Sequence, residues 1–311
     1  MRVSGFTFVR NAVRLDYPIV ESIKSVLPIV DEFVVNVGAS DDGTIELIRE
    51  IQSQKIQIVE SHWNPKVTTG GYVLAQQTNI ALFNCTGTWA IYLQSDELIH
   101  ERDHEWLLDV MTEYENDDRI EGLLLRRLTF FGDYKTISVA PRFRRDLACR
   151  VVKPHRFVLS RGDAAGFTVH PKYKEKGRGL RVVDTGLDFS HYSNIRDPQH
   201  SAAFIREKGR FWKMPTENID VDSGHYYNSV PRKFVTAYEG THPAPIAERV
   251  AHHSVFLDHD SVAWRRALTW RERLSLISVT LEQIFAPLLG IKRDRIVASY
   301  RGRQGISWLP W

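Results

Sequence analysis

Apolar runs alternate with helical spacings along the first hundred residues of the chain. Val3 to Val9 and Phe33 to Val37 are short apolar runs, which predict buried strands. Between them, Ile19, Ile23 and Val26 recur at the spacing of one helix face. This alternation of strands with helices predicts right-handed βαβ crossovers and a mainly parallel sheet.

The same alternation continues to about residue 100. We expect helices at 45–51 and 74–83, and strands at 56–59 and 89–93. Ligands of parallel sheets bind beyond the carboxyl ends of the strands. The candidate binding loops are therefore those that begin near Arg10, Asn36 and Gln94.

From about residue 101 the pattern becomes mixed. We predict a helix at 104–111, strands at 122–131, 136–143 and 150–158, a loop-rich stretch at 162–186, and helices at 202–212, 232–238 and 262–285. The sequence therefore predicts an α/β domain over residues 1–220 and a helical, basic extension over residues 221–311.

Composition and charge narrow the classes of function. The 311 residues carry 41 Lys and Arg against 38 Asp and Glu, and a net charge of +3 does not favour a nucleic-acid partner. Two cysteines make neither a disulfide framework nor a zinc spacing. No secretory signal is recognised, and Glu282 and Pro287 make 274–291 a poor membrane span. We expect a cytoplasmic protein.

The most basic region is 265–311, with nine Lys and Arg against three Asp and Glu. Two interpretations stay open for it. One is a helix on the inner face of the membrane, with its arginines toward anionic lipid. The other is a helix packed on the α/β domain, with its basic face in water. Peripheral membrane contact would suit a lipid-linked acceptor.

The first candidate loop runs from Asn36 to Thr44, with the sequence Asn-Val-Gly-Ala-Ser-Asp-Asp-Gly-Thr. A strand that ends in glycine, hydroxyl and carboxylate residues can hydrogen-bond a ribose and a base edge. The alternative is an ordinary strand–turn–helix connection, in which Asp42 or Thr44 is only a helix cap.

The second candidate loop is Gln94-Ser95-Asp96-Glu97, where an apolar strand ends in a polar and acidic cluster. A carboxylate at such a strand end faces the ligand crevice, and divalent cations bound with a diphosphate favour oxygen ligands. The alternative is that Asp96 and Glu97 are favourable charges at the start of a following helix.

In their order along the chain, these segments resemble the inverting family 2 glycosyltransferases, which have the GT-A fold. The family pattern is Arg-Asn after the first strand, Val-Val-Asp-x-Gly-Ser-x-Asp-Gly-Thr, Gln-Arg-Asn, Gly-Asp-Trp and a strand ending in Asp-x-Asp-Glu. The chain has Arg10-Asn11, Val34 to Thr44, Gln77-Thr78-Asn79, Gly87-Thr88-Trp89 and Gln94-Ser95-Asp96-Glu97. The likeness covers about residues 3–100 and is closest to small bacterial members that act on surface polysaccharide or lipopolysaccharide core.

The resemblance implies a nucleotide-diphosphate-sugar donor, Mg²⁺ or Mn²⁺ as a cofactor, and a glycan or lipid-linked acceptor. It places donor contacts at the strand ends and on the third helix, at Phe8, Arg10, Asn36, Gly38, Asp41, Asp42, Gln77, Gln94 and Ser95. It places the cation at Asp96, and it implies that His191, in a His-Tyr segment, returns to the cation or to the diphosphate. For His191 the alternative is a partly buried histidine with a structural role.

Three positions depart from the family pattern. Asn36 stands where relatives have an aspartate that contacts the base, Gln94 replaces the first aspartate of Asp-x-Asp, and Thr78 replaces the helix arginine. Asn and Gln still form hydrogen bonds, but each removes a negative charge. We therefore expect weaker metal affinity, with Asp96 as the main carboxylate on the cation.

The general base is the least defined part of the predicted site. Inverting transfer needs a carboxylate that deprotonates the acceptor hydroxyl. Relatives often place a His-Glu pair before the His-Tyr segment, but here Pro171 follows His170. The nearby candidates are Asp163, Glu175 and Asp188, with Asp184 as a fourth, and spacing does not choose among them.

Two other functions stay open. Gln94 and Asn36 are compatible with a non-catalytic module that binds nucleotide sugars. A sugar-phosphate nucleotidyltransferase has a related fold. Its glycine-rich, arginine-bearing loop after the first strand has no counterpart here, because residues 5–14 hold a single glycine. The favoured prediction is a metal-assisted glycosyltransferase of surface glycan synthesis.

Overall fold

The structure is a computed structural model. It describes residues 1–138, 147–170, 177–196, 198–212, 234–253, 270, 273–274, 297–300 and 306–308. Among these residues, no helix combines the length and the apolar character that crossing a membrane requires.

The first half of the fold is a parallel four-stranded sheet in the order β3-β2-β1-β4. Its strands are β1 (Val3–Val9), β2 (Glu32–Gly38), β3 (Ile56–Ser61) and β4 (Trp89–Tyr92). The crossovers contain α1 (Ile19–Val26), α2 (Thr44–Arg49) and α3 (Tyr72–Phe83). The predicted strand–helix alternation is confirmed, and the apolar runs are the buried strands.

The second half extends the sheet beyond β4. Further elements in chain order are β5 (Glu97–Leu98), α4 (His104–Glu113), β6 (Gly122–Phe131), β7 (Asp133–Ser138), β8 (Leu147–Val152), β9 (Val158–Arg161), β10 (Gly166–Val169) and β11 (Leu180–Asn194). The sheet continues β4-β8-β6-β11. Because β8 is antiparallel to both neighbours and β6 is parallel to β11, strands β4, β6 and β11 share one direction with β1. The fold is a GT-A-like α/β fold.

The remaining described elements lie after residue 197. They are α5 (Pro198–Trp212), β12 (Val235–Ala237), α6 (Ala247–His252), β13 (Val297–Tyr300) and β14 (Ile306–Trp308). Strand β12 pairs with β7, and β13 and β14 extend the sheet from β11. Most of the predicted helix at 262–285 and the boundary near residue 220 lie outside the described residues, so the domain division stays a prediction.

Three local predictions are wrong. The strand expected at 150–158 is interrupted, because β8 ends at Val152, a 3₁₀ turn spans Pro154–Arg156 and β9 begins at Val158. The stretch 162–186 was expected to be loop-rich, but it holds β10 and the start of β11, where Val182 and Val183 fill opposite faces of the sheet. The expected helix at 232–238 contains β12 instead. The β-branched pair Val235-Thr236 suits an edge strand against β7, which outweighs the helical spacing of the neighbouring aromatic residues.

The core lies on both faces of the sheet. Odd-numbered residues of β1 and β2, such as Val9 and Val35, pack toward α1, α2 and α4. Even-numbered residues, such as Phe6 and Val34, pack toward α3 and the β9–β10 hairpin. This alternation follows from the two-residue period of a strand, and it directs Asn36 toward α3.

Glu32 connects three segments at the start of β2. Its carboxylate accepts hydrogen bonds from the Ser4 hydroxyl (2.5 Å), from the Thr86 amide (2.6 Å) and from the Arg2 guanidinium (3.1 Å). Burial alone would raise the pKa of Glu32, but these hydrogen bonds outweigh burial and hold the pKa below 4.5. The carboxylate therefore stabilises the fold in its charged form.

We predict that Glu32→Gln destabilises the protein by about 1–3 kcal/mol at pH 7, because buried donors lose an ionised acceptor. The folded-state pKa of Glu32 is depressed, so its stabilisation is complete above pH 4.5 and is lost as pH falls through the folded pKa. Urea unfolding at pH 7, 5 and 4 should therefore show the two proteins converging at low pH. A constant difference across this range would contradict the assignment.

Candidate active site

The register of β1 brings the two candidate loops to one rim of the sheet. Phe8 pairs with Asn36 of β2, and Phe6 pairs with Tyr92 of β4, both in parallel. The residues that follow these strands therefore leave the sheet at the same edge. Ser22 of α1 donates to the Gln94 carbonyl at 3.1 Å, which fastens the second loop to the first crossover.

The loop after β2 is held against the loop after β1 by hydrogen bonds. Asp42 accepts from the Thr44 hydroxyl (2.5 Å) and from the Arg14 amide (2.8 Å), and Thr44 accepts from the Ala12 amide (2.7 Å). The exposed Asp41 pairs with Arg14 at 2.6 Å, which lowers the pKa of Asp41. Both carboxylates thus hydrogen-bond within the loops, and the N-cap of α2 is Gly43, without a side-chain capping hydrogen bond.

Asn36 is fully buried in a hydrogen-bond network with α3. Its Nδ2 donates to the Gln77 backbone carbonyl (2.8 Å) and to Gln77 Oε1 (2.9 Å), which also accepts from the Ser61 hydroxyl (2.6 Å). An aspartate here would place a carboxylate against carbonyl oxygens. The amide of Asn36 therefore suits this network, and its Oδ1 is buried without a hydrogen-bond partner among the described residues.

A cavity of about 280 Å³ opens beside the ends of β1, β2 and β3. Its lining includes Arg10, Ala39 and Trp63. Trp63 packs on Phe8, with ring centroids 5.9 Å apart, and Arg10 lies over the indole at 5.6 Å from its centroid. A Cβ at Gly38 would overlap Trp63 Nε1, so the close approach of this indole to the β2 end requires glycine.

The last turns of α5 cover this cavity. Glu207 pairs with Arg10 at 3.2 Å, and Phe211 packs on Trp63 with ring centroids 5.5 Å apart. The Phe211 carbonyl accepts from the Gly71 amide at 2.8 Å, just before α3 begins. The cavity is therefore enclosed between the strand ends and a helix that follows β11.

The turn that carries Asp96 is held by a buried ion pair. Glu97 forms two hydrogen bonds with Arg150 of β8, at 2.6 and 2.7 Å, and both side chains are fully buried. Glu97 Oε2 also accepts from the Gln94 amide at 3.0 Å. Arg150 stacks on Phe189 and Tyr92. The ion pair of Glu97 and Arg150 therefore holds the turn in position and is not assigned a direct part in the chemistry of the site.

Asp96 and His191 face each other at the rim. His191 Nε2 lies 3.8 Å from Asp96 Oδ1, which is too long for a hydrogen bond. Burial, and then the charges of Arg127 and Arg150, lower the pKa of His191 well below 6.5, so the ring is neutral at pH 7. Burial, with the charge of Glu97, raises the pKa of Asp96.

These two side chains fit a divalent cation that takes its other ligands from a diphosphate and water. Metal–ligand bonds of about 2.1 Å allow two ligand atoms of one ion to stand up to about 4.2 Å apart. His191 Nε2 is the ring nitrogen that would coordinate a cation shared with Asp96, whereas Nδ1 is buried without a hydrogen-bond partner among the described residues. No group of three His, Cys, Asp or Glu suited to a metal occurs among the described residues.

The candidate bases do not gather at this pair. Asp188 and His191 stand on a regular stretch of β11, three residues apart, and therefore point to opposite faces of the sheet. Asp188 pairs with Arg126 at 2.5 and 2.7 Å, so its placement does not support a role as base. Asp163 lies in the β9–β10 turn against Gly71. Glu175 lies outside the described residues.

Sequence reasoning missed several residues of the rim. Trp63 follows the end of β3, and the rule of strand ends would have found it if applied to that strand as well. Ser95 is buried in the turn between β4 and β5, as its predicted position requires. No local sequence pattern predicts that Arg150, Arg196 and Glu207 lie at the rim, because contacts with residues distant in the sequence place them there.

Comparisons with known proteins give a likeness in structure only. No protein-family model matches the chain, and no curated protein matches its sequence. TarS from S. aureus is similar over 73% of this chain and 42% of its own, at 14% identity and a TM-score of 0.39. TarS 1-349 in complex with UDP-GlcNAc is similar over 73% of this chain and 70% of its own, at 13% identity and a TM-score of 0.40.

A third similar structure is glucosyl-3-phosphoglycerate synthase from Mycobacterium tuberculosis, in complex with Mn²⁺, UDP and phosphoglyceric acid. The similarity extends over 53% of this chain and 61% of the synthase chain, at 13% identity and a TM-score of 0.34. This chain thus spans less than half of the first TarS chain. At these identities and TM-scores the likeness carries no argument about the substrates or the reaction of this chain.

We predict that Asn36→Asp lowers stability by about 3–5 kcal/mol at pH 7, because it buries an unpaired charge against two carbonyl oxygens. Burial should raise the pKa of the new carboxyl, so the loss should shrink as pH falls and the carboxyl is protonated. Urea unfolding at pH 7 and pH 5 measures both effects. The control is Asn116→Asp in the exposed turn after α4, with an expected change within about 0.5 kcal/mol. An Asn36→Asp protein as stable as the wild type would contradict the network.

Proposed function

We propose that this chain is a glycosyltransferase that moves a sugar from a nucleotide-diphosphate-sugar donor to an acceptor hydroxyl, with inversion. The observation that carries the proposal is the facing pair of Asp96 and neutral His191 at the strand ends. A cavity of about 280 Å³ opens at the same rim of the sheet. A nucleoside bound in the cavity and a diphosphate bound at Asp96 and His191 would account for both the cavity and the facing pair.

The cavity suits the nucleoside part of the donor. Trp63 offers an aromatic face and a buried indole N–H without a hydrogen-bond partner. Arg10 lies at the cavity between Trp63 and Glu207, where its guanidinium can face the ribose or the first phosphate. We expect a uridine or guanosine diphosphate donor. Of the predicted donor contacts, Arg10 lines the cavity, while Asn36 and Gly38 lie at the end of β2 without lining it, and Gln77 holds Asn36 in place.

Asp96 and His191 would hold Mg²⁺ or Mn²⁺ together with the diphosphate. When bound, the cation would supply positive charge for the leaving diphosphate, where negative charge develops as the sugar departs. The chain itself contributes a carboxylate and a neutral imidazole that are already in position. Because Gln94 is not an acid, Asp96 is the carboxylate on which cation binding depends.

The acceptor side of the proposed reaction is a hydroxyl of a glycan or a lipid-linked sugar in surface glycan synthesis. Asp163 and Glu175 stay proposals for the base that removes its proton. Cytoplasmic location, with peripheral contact through 265–311, would suit a lipid-linked acceptor and is likewise a proposal. The rival function is a module that binds nucleotide sugars without catalysis.

We predict that uridine or guanosine diphosphate, or a sugar derivative of one of them, raises the thermal midpoint in the presence of Mn²⁺. Asp96→Ala should remove most of the Mn²⁺-dependent part of this shift. Glu121→Gln is the matched control, because Glu121 is an equally buried carboxylate at the start of β6, at the opposite end of the sheet.

Slow hydrolysis of the donor separates the transferase from a binding module. A transferase should release free sugar from the bound nucleotide sugar with Mn²⁺, and Asp96→Ala should release it at least about tenfold more slowly. A response to nucleotides without any hydrolysis or transfer would favour the binding module. No response to any nucleotide would end the proposal altogether.

A further inference from the structure

Arg196 is a buried guanidinium in the loop between β11 and α5. It is 5% exposed, and it lies between two aromatic rings, 3.4 Å from the Phe204 centroid and 4.9 Å from the Tyr17 centroid. Its Nε donates to the Leu15 carbonyl at 2.9 Å, and its Nη1 donates to the Ser193 carbonyl. These contacts fix the plane of the guanidinium without using all of its donors.

The charge of Arg196 has no carboxylate within ion-pair distance among the described residues. By contrast, the buried Arg150 is paired with Glu97, and the partly buried Arg249 is paired with Asp16 and Glu21. Among the residues that the structure describes, Arg196 Nη2 is buried without a hydrogen-bond partner. A buried cation that keeps an unused N–H group is costly. This arrangement therefore points to an anionic ligand.

The position of Arg196 relates it to the Asp96–His191 pair. The Ser193 side chain hydrogen-bonds to the Asp96 carboxylate, and the Ser193 carbonyl accepts from Arg196. The Tyr192 amide donates to the Asp96 carbonyl at 2.9 Å, so the loop that carries Arg196 is fixed to the turn of Asp96. An anion that shares a cation with Asp96 would lie within the field of Arg196.

We propose that Arg196 binds the diphosphate of the donor and stabilises the negative charge that develops on it as the sugar leaves. This inference rests on the proposed function and assigns to it a residue outside the predicted motifs. A guanidinium offers phosphate oxygens directed hydrogen bonds and a charge that does not titrate. Because the rings of Tyr17 and Phe204 hold it in place, little side-chain freedom is lost on binding.

The experiment measures the binding of inorganic pyrophosphate, UDP, GDP, uridine and guanosine to the full chain by calorimetry, with Mn²⁺ and with EDTA. Arg196→Gln should weaken the binding of pyrophosphate and of the preferred diphosphate about 10- to 100-fold. It should leave the binding of the matching nucleoside within about twofold, because the nucleoside does not reach Arg196. Arg196→Lys should restore part of the loss, since lysine keeps the charge but not the directed N–H groups.

Arg249→Gln is the matched control for a structural effect. Arg249 is also a partly buried arginine that holds the loop before α1, but its charge is already neutralised by Asp16 and Glu21. This variant should lose thermal stability and keep its affinity for pyrophosphate. If Arg196→Gln binds pyrophosphate and the diphosphate as the wild type does, or loses nucleoside affinity equally, the role of Arg196 is refuted. If the wild type binds no nucleotide at all, the proposed function fails first.

Discussion

The parallel pairing of β1 with both β2 and β4 is the constraint on which the site depends. A strand between two parallel neighbours brings the ends of all three to one rim, whatever their separation in sequence. The loops after β1 and β2 are then joined by hydrogen bonds from Ala12 and Arg14. The cavity beside Trp63 and the acidic turn at Asp96 both form at this edge.

Electrostatics at the rim follow from which charges are paired. Glu97 neutralises Arg150, and Glu207 neutralises Arg10, so these four side chains order the structure at little cost in net charge. Arg196 lies between the rings of Tyr17 and Phe204, without an ion-pair partner among the described residues. His191 is neutral because burial and surrounding cations oppose its protonation. A neutral imidazole beside a carboxylate, with the Arg196 guanidinium nearby, suits a cation and an anionic ligand that bind together.

Sequence patterns predicted the parts of the fold that depend on local periodicity. Apolar runs gave β1, β2 and β4, and the rule of strand ends placed Asn36 and Asp96 at the same rim. The short edge strand β12 was mistaken for a helix, because a three-residue strand has too little periodicity to outweigh nearby aromatic spacing. The loop-rich prediction for 162–186 failed because glycines and lysines obscured the valines of β11.

The side-chain partners at the rim were beyond the reach of sequence patterns. Glu97 and Arg150 are far apart in the chain, and only the antiparallel insertion of β8 beside β4 brings them together. Asn36 looked like a weakened base contact, whereas the structure shows an amide whose two donors are both used on Gln77. The same holds for Arg196, because only the structure shows that its Nη2 is buried without a hydrogen-bond partner among the described residues.

The central claim is that Asp96 and His191 hold a cation together with a nucleotide diphosphate. A crystal structure with Mn²⁺ and the preferred nucleoside diphosphate, collected for the anomalous signal of manganese, tests it most directly. The account predicts a manganese peak about 2.2 Å from an Asp96 oxygen and from a His191 nitrogen, bridged to the diphosphate. A bound nucleotide whose diphosphate and manganese lie away from both side chains would contradict it.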